Sequence, residues 1–101
     1  MRMLLHVKFP NEPFNSYVKE GTAGAKIQKI LAELKPEATY FTETDGRRGG
    51  IMIVDLPDAS KIPAIAEPWF LAFNATYELR IAMTPEDLGK SGIDGIGRKW
   101  S

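Results

Sequence analysis

Between Phe73 and Met83 the chain repeats with a period of two. Phe73, Ala75, Tyr77, Leu79, Ile81 and Met83 are apolar or aromatic, and Asn74, Thr76, Glu78 and Arg80 between them are polar. Side chains along a strand point alternately to its two faces, so this stretch predicts a strand with one apolar and one polar face. The N-terminus holds its counterpart. Over residues 2–9, Met3, Leu5, Val7 and Phe9 form one face, and Leu4, His6 and Lys8 the other. The rest of the chain reads as a scaffold that holds these two strands.

Pro10 and Pro13 end the first strand, because neither can donate to a ladder. Asn11 is placed to cap a helix that Pro13 opens. Phe14, Tyr17 and Val18, then Ile27, Ile30, Leu31 and Leu34, recur at helical spacing. Gly21 divides them into two pieces, about 14–20 and 23–34, and Lys35-Pro36 closes the second. Residues 38–44 are β-branched and aromatic and predict a strand. A turn is expected from Asp45-Gly46 through Gly50, followed by a strand over 51–56. That run, Ile-Met-Ile-Val-Asp-Leu, is apolar at nearly every position, so both its faces need cover. Ile62, Ile65, Ala66 and Trp69 predict a second helix capped by Asp58 or Ser60, with Pro68 ending or distorting it. The polar-apolar strand then covers 72–83. Thr84-Pro85-Glu86-Asp87 carries the signs of a helix start: a hydroxyl cap, an early proline and acids at the positive end of the dipole. Glycines at 89, 92, 95 and 97 interrupt the tail, which presents Ile93, Ile96 and Trp100.

The order strand, helix, strand, strand, helix, strand predicts an α+β, ferredoxin-like βαββαβ fold. It has a four-stranded antiparallel sheet with the helices on one face and a C-terminal tail. One domain is expected over 1–101, with a core at 1–83 and an arm at 84–101. The first strand would lie between the third and the fourth. The face away from the helices would carry Leu4, His6 and Lys8 beside Asn74, Thr76, Glu78 and Arg80. Alternate residues of 51–56 would add apolar surface there, enough to require a cover. A second copy facing it, as a homodimer that encloses a cavity, is the simplest cover.

Composition narrows the chemistry. Thirteen basic residues balance thirteen acidic ones, so no net charge draws the chain to nucleic acid or to an anionic membrane. The absence of cysteine excludes disulfides and thiolate chemistry, and a single His disfavours an all-protein zinc site. No cofactor is implied. No stretch approaches the roughly 20 apolar residues of a membrane span, and the first residues lack a signal-peptide pattern, so a cytoplasmic location is expected. RNA-recognition domains share this strand order, but they carry aromatics for stacking where this chain has Ile-Met-Ile-Val. Gly21 to Lys26 lacks the spacing of a phosphate loop.

Several stretches carry a resemblance. They are Gly-Thr-Ala-Gly-Ala-Lys at 21–26, Lys-Pro-Glu-Ala-Thr-Tyr-Phe-Thr-Glu at 35–43, Ala-Glu-Pro-Trp-Phe-Leu-Ala-Phe-Asn-Ala at 66–75, and Met-Thr-Pro-Glu-Asp-Leu-Gly at 83–89. Through them the chain resembles the dimeric α/β-barrel superfamily, and within it a group of small bacterial domains without an agreed activity. The superfamily includes cofactor-free quinone-forming monooxygenases, polyketide cyclases, lactone isomerases, heme-handling proteins and dehalogenase-like enzymes. The resemblance implies a small-molecule site between two sheets, and no catalytic motif transfers residue by residue.

The candidate residues follow from the polar face. His6 is the candidate proton-transfer group, since an imidazole takes or gives a proton near neutral pH. Its alternative is a hydrogen bond to Glu78 or to a neighbouring strand. Arg80 is a candidate clamp for an anion, and Glu78 a candidate base; alternatively they pair with Lys8 or across a dimer. Asn74 is a candidate orienting amide or a simple turn residue. Lys8 and Tyr40 are candidate ligand contacts, although register leaves open whether Tyr40 or Phe41 faces the cavity. Trp69 reads as core, and Arg47 and Arg48 as a solvated pair in a turn. Two readings stand: a small-molecule site for an anionic or aromatic metabolite, or a non-catalytic dimer.

Overall fold

The computed structural model describes residues 1–101. Its strands are β1 (Arg2–Lys8), β2 (Ala38–Thr44), β3 (Arg47–Asp55) and β4 (Thr76–Ile81). Its helices are α1 (Asn11–Glu20), α2 (Ala23–Leu34), α3 (Ile62–Phe73), α4 (Pro85–Lys90) and α5 (Ile93–Lys99), with one 3₁₀ turn at Ala59–Lys61. All strand pairs are antiparallel, in the order β2-β3-β1-β4. This is the α+β, ferredoxin-like arrangement. No helix is long and apolar enough to cross a membrane.

Parity sets the two faces of the sheet. Met3, Leu5 and Val7 of β1 and Met52 and Val54 of β3 are buried beneath the helices. Ile51 and Ile53 therefore lie on the other face. The cover is aromatic: Phe9 meets Phe14, Trp69 and Phe73 edge-on, with ring centroids 5.1, 5.8 and 5.2 Å apart. Such pairs add about 0.5–1.5 kcal/mol each beyond their burial. The Trp69 indole N–H is buried without a partner. Leaving it so costs about 1–3 kcal/mol, which the packing of its ring has to exceed.

Three boundaries differ from the sequence expectation. The last strand was expected over 72–83, but α3 runs on to Phe73 and β4 begins only at Thr76. Ile65, Trp69 and Phe73 recur at i, i+4 and i+8 and are all buried, so they form a helical stripe. Pro68 removes a backbone bond at about 3 kcal/mol. Burial of a large apolar side chain contributes about 1.5–3 kcal/mol, and α3 buries several, so the helix continues through the proline. Asn74 then ends the helix with φ of 53° and donates its N–H to the Phe70 carbonyl at 2.9 Å. It is a helix cap in the left-handed region, not a strand residue.

The hairpin is also tighter than expected. Asp45 and Gly46, with φ of 54° and 78°, form a two-residue turn, so 47–50 are strand rather than loop. Arg47 and Arg48 are thus strand residues. Third, the tail contains a second helix, α5, where glycines predicted an irregular segment. Gly92, with φ of 73°, breaks α4 from α5.

The other cap and break expectations hold except the Asn11 cap. Gly21, with φ of 76°, separates α1 from α2. Asn11 makes no side-chain cap at α1; the Glu12 carboxylate accepts the Ser16 N–H instead, at 3.3 Å. Asp58 caps the 3₁₀ turn through the Ser60 N–H. Thr84 and Asp87 form a reciprocal capping box at α4. Every residue from Pro85 to Ser101 is exposed, including Leu88, Ile93, Ile96 and Trp100. The radius of gyration is 16.9 Å, against about 13 Å for a compact chain of this length, because the arm stands off the core.

The placement of Phe73 in the core is checked by Phe73→Ala. As a fully buried member of the aromatic cluster it should cost about 3–5 kcal/mol in urea unfolding. A loss below about 1 kcal/mol, the range of ordinary surface substitutions, would put the side chain outside the core.

Candidate functional site

The sheet face turned away from the helices has no cover within the chain. Register brings its residues into rows. Tyr40, Ile51, His6 and Glu78 lie side by side across the four strands, and Ala38, Ile53, Leu4 and Arg80 form the next row. Thr42, Gly49, Lys8 and Thr76 form a third. Directly opposed side chains in such rows are about 4.5–5.5 Å apart at Cβ, within contact range. His6, Glu78, Lys8 and Arg80 therefore share one patch beside the apolar Leu4, Ile51 and Ile53. Tyr40 is on this face too, at the edge strand, and is 70% exposed. Phe41 points to the helix side.

Glu78 is the electrostatic centre of the patch. Its carboxylate accepts from Lys8 Nζ at 2.7 Å and also pairs with Arg80. The Lys8 hydrogen bond, followed by the Arg80 charge, holds the Glu78 carboxyl below its ordinary value of 4.5. An ionised carboxylate with two cationic partners is a poor base. Arg80 is two-thirds exposed and already engaged, so an incoming anion would compete with Glu78 for it.

His6 has a different partner from any the sequence singled out. Its Nε2 lies 2.9 Å from Thr44 Oγ1, the hydroxyl of the last β2 residue. Thr44 was missed because its nearness depends on register: β3 separates it from His6 in the sheet. Asn74, held at the end of α3, joins Lys8, Thr44, Arg47 and Thr76 around a cleft of about 440 Å³ at the turn end of this face. A larger hollow of about 680 Å³ lies between α1 and the β2–β3 hairpin and contains none of the candidate residues. There Arg48 lies 4.4 Å from the Phe14 ring centroid and donates to Asn15 Oδ1 at 2.8 Å. No three His, Asp or Glu side chains converge as metal ligands would.

No protein-family model matches the chain. No curated protein matches it either. Among solved structures it is similar to 5-chloro-2-hydroxyhydroquinone dehydrochlorinase (TftG) from Burkholderia phenoliruptrix AC1100, in complex with 2,5-dihydroxybenzoquinone. The TM-score is 0.60 at 16% sequence identity, over 85% of this chain and 97% of that one. At that identity the likeness shows the fold.

The Glu78 cluster makes a pH prediction. Its carboxyl pKa is lower folded than unfolded, so the unfolded chain binds the proton first as pH falls. The stabilisation is complete above the ordinary carboxyl range and is lost as pH drops through the lowered value. E78Q should flatten this part of the acid limb in urea midpoints measured against pH. An unchanged limb would show that the cluster contributes nothing to stability.

Proposed function

We propose that the open sheet face is a small-molecule site which a second copy of the chain completes. The observation that carries this reading is the patch itself. A lone imidazole and an ion-paired cluster sit among Leu4, Ile51 and Ile53, on a face that no element of the chain covers. Apolar walls with a few polar groups are what small-molecule sites present. The fold supports the reading by analogy, since the similar dehydrochlorinase structure holds a dihydroxybenzoquinone. The ligand class we favour is a small anionic or aromatic metabolite. His6 would move a proton, Lys8 and Arg80 would face its negative charge, and Asn74 and Tyr40 would contact it at the rim. The chemistry in view is cofactor-free, of the monooxygenase, isomerase or cyclase kind. In the proposed dimer, residues 1–83 form the core and the 84–101 arm reaches toward the partner.

One observation favours a second reading, a dimer without chemistry. Lys8, Arg80 and Glu78 satisfy one another within the chain, as charges that only set pairing would.

Two measurements separate these readings. Native mass spectrometry should show a dimer; a monomer would overturn the enclosed site. Titration with 2,5-dihydroxybenzoquinone as the probe should give saturable binding that His6→Ala weakens at least tenfold while the dimer persists, about 1.4 kcal/mol. If His6→Ala and Arg80→Ala both bind the probe as the parent does, this site is wrong. Loss of the dimer in His6→Ala would support the second reading.

A further inference from the structure

We infer that Thr44 and Gly49 form a positioning pair that holds the His6 imidazole by Nε2 and leaves Nδ1 as the nitrogen presented to a ligand. This rests on the reading of His6 as the proton-transfer group.

Thr44 belongs to the edge strand β2, and β3 lies between it and β1. To reach His6 its hydroxyl has to pass over β3, and it does so above Gly49. A Cβ at Gly49 would stand 2.1 Å from Thr44 Oγ1 and 3.0 Å from Thr44 Cβ. Any residue larger than glycine would occupy the space through which the hydroxyl reaches the ring. Conformational freedom is not the reason for this glycine, because its φ is not among the positive ones. It lies in mid-strand and buried, where glycine otherwise weakens a sheet.

The consequence is chemical. The two ring nitrogens of a histidine are distinct, and the hydrogen bond at one determines how the other is presented. Here Nε2 is bonded to Thr44 at 2.9 Å, and Nδ1 has no partner in the chain. The charged and titratable groups in the row of His6 and in the rows on either side of it are Tyr40, Glu78, Arg80 and Lys8, with Arg47 opposite Thr44. Lys8 and Arg80 are both engaged by Glu78. Thr44 is thus the hydrogen-bond partner of the ring. Its β-branched side chain is stiff about χ1, which suits a fixed strut.

The test is nitrogen-15 NMR of the His6 ring at alkaline pH on the full chain. Thr44→Val and Gly49→Ala should both move the Nε2 resonance in the same sense and change the tautomer ratio by about threefold or more, the factor one net hydrogen bond supplies. Thr44→Ser should keep the parent spectrum. Ring nitrogens unmoved in Thr44→Val would overturn the proposal. So would a Gly49→Ala protein that is folded by its amide spectrum and keeps the parent ring resonances. If Gly49→Ala does not fold, the Thr44→Val result decides alone. The reading beneath fails separately: when Thr44→Val moves the ring but His6→Ala binds 2,5-dihydroxybenzoquinone as the parent does, the pair stands and the proton-transfer role of His6 falls.

Discussion

Strand β1 is bonded on both sides, to β3 and to β4, and the remainder of the molecule is arranged about that double pairing. Its alternation leaves no choice. Once Met3, Leu5 and Val7 are committed beneath the aromatic cover, Leu4, His6 and Lys8 must stand on the opposite face. Both neighbours inherit the phase through register, which sets Ile51 and Ile53 beside His6 and Leu4, and Glu78 and Arg80 on their other side. The core and the candidate site are two sides of one constraint. A residue that strengthens the first does so directly behind the second.

Much of this was legible in the sequence. The strand order, the broken first helix, the Thr84 cap and the placement of Trp69 in the core follow from periodicity and from residues with strong local preferences. The errors have identifiable physical causes. Phe73 satisfies a strand phase with Ala75 and Tyr77 and also a helix phase with Trp69, and local pattern does not rank the two. The buried aromatic cluster does, because it rewards the helix. Pro68 was expected to end or distort α3; the helix does not end there, because the energy of burying α3 exceeds that of one absent hydrogen bond. Gly49 and Gly50 read as turn because glycine usually marks one, whereas Gly49 in fact leaves room for a side chain crossing from β2. The link between Thr44 and His6 spans 38 positions and a whole intervening strand, so nothing local to either residue signals it.

The polar patch joins two kinds of interaction that respond differently to solvent. The Glu78 cluster is about one-third to two-thirds exposed and is open to screening by salt. The His6–Thr44 bond is half-buried and uncharged while the ring is neutral, so ionic strength acts on it little. The exposed arm adds a third element. Helices of six and seven residues are too short to be stable in water by themselves, and their form depends on what they lie against.

The two-residue turn at Asp45-Gly46 couples chain length to function. Because the turn is minimal, it has no slack in which to absorb an extra residue. The phase of β3 is fixed by its pairing with β1 and by the burial of Met52 and Val54, so an inserted residue would be expelled into a longer loop or a bulge at the hairpin end. That end carries Thr44 and Arg47, at the rim of the cleft beside Lys8 and Asn74. Length variation in this hairpin would thus reshape the mouth of the pocket and leave the filling of the core as it is.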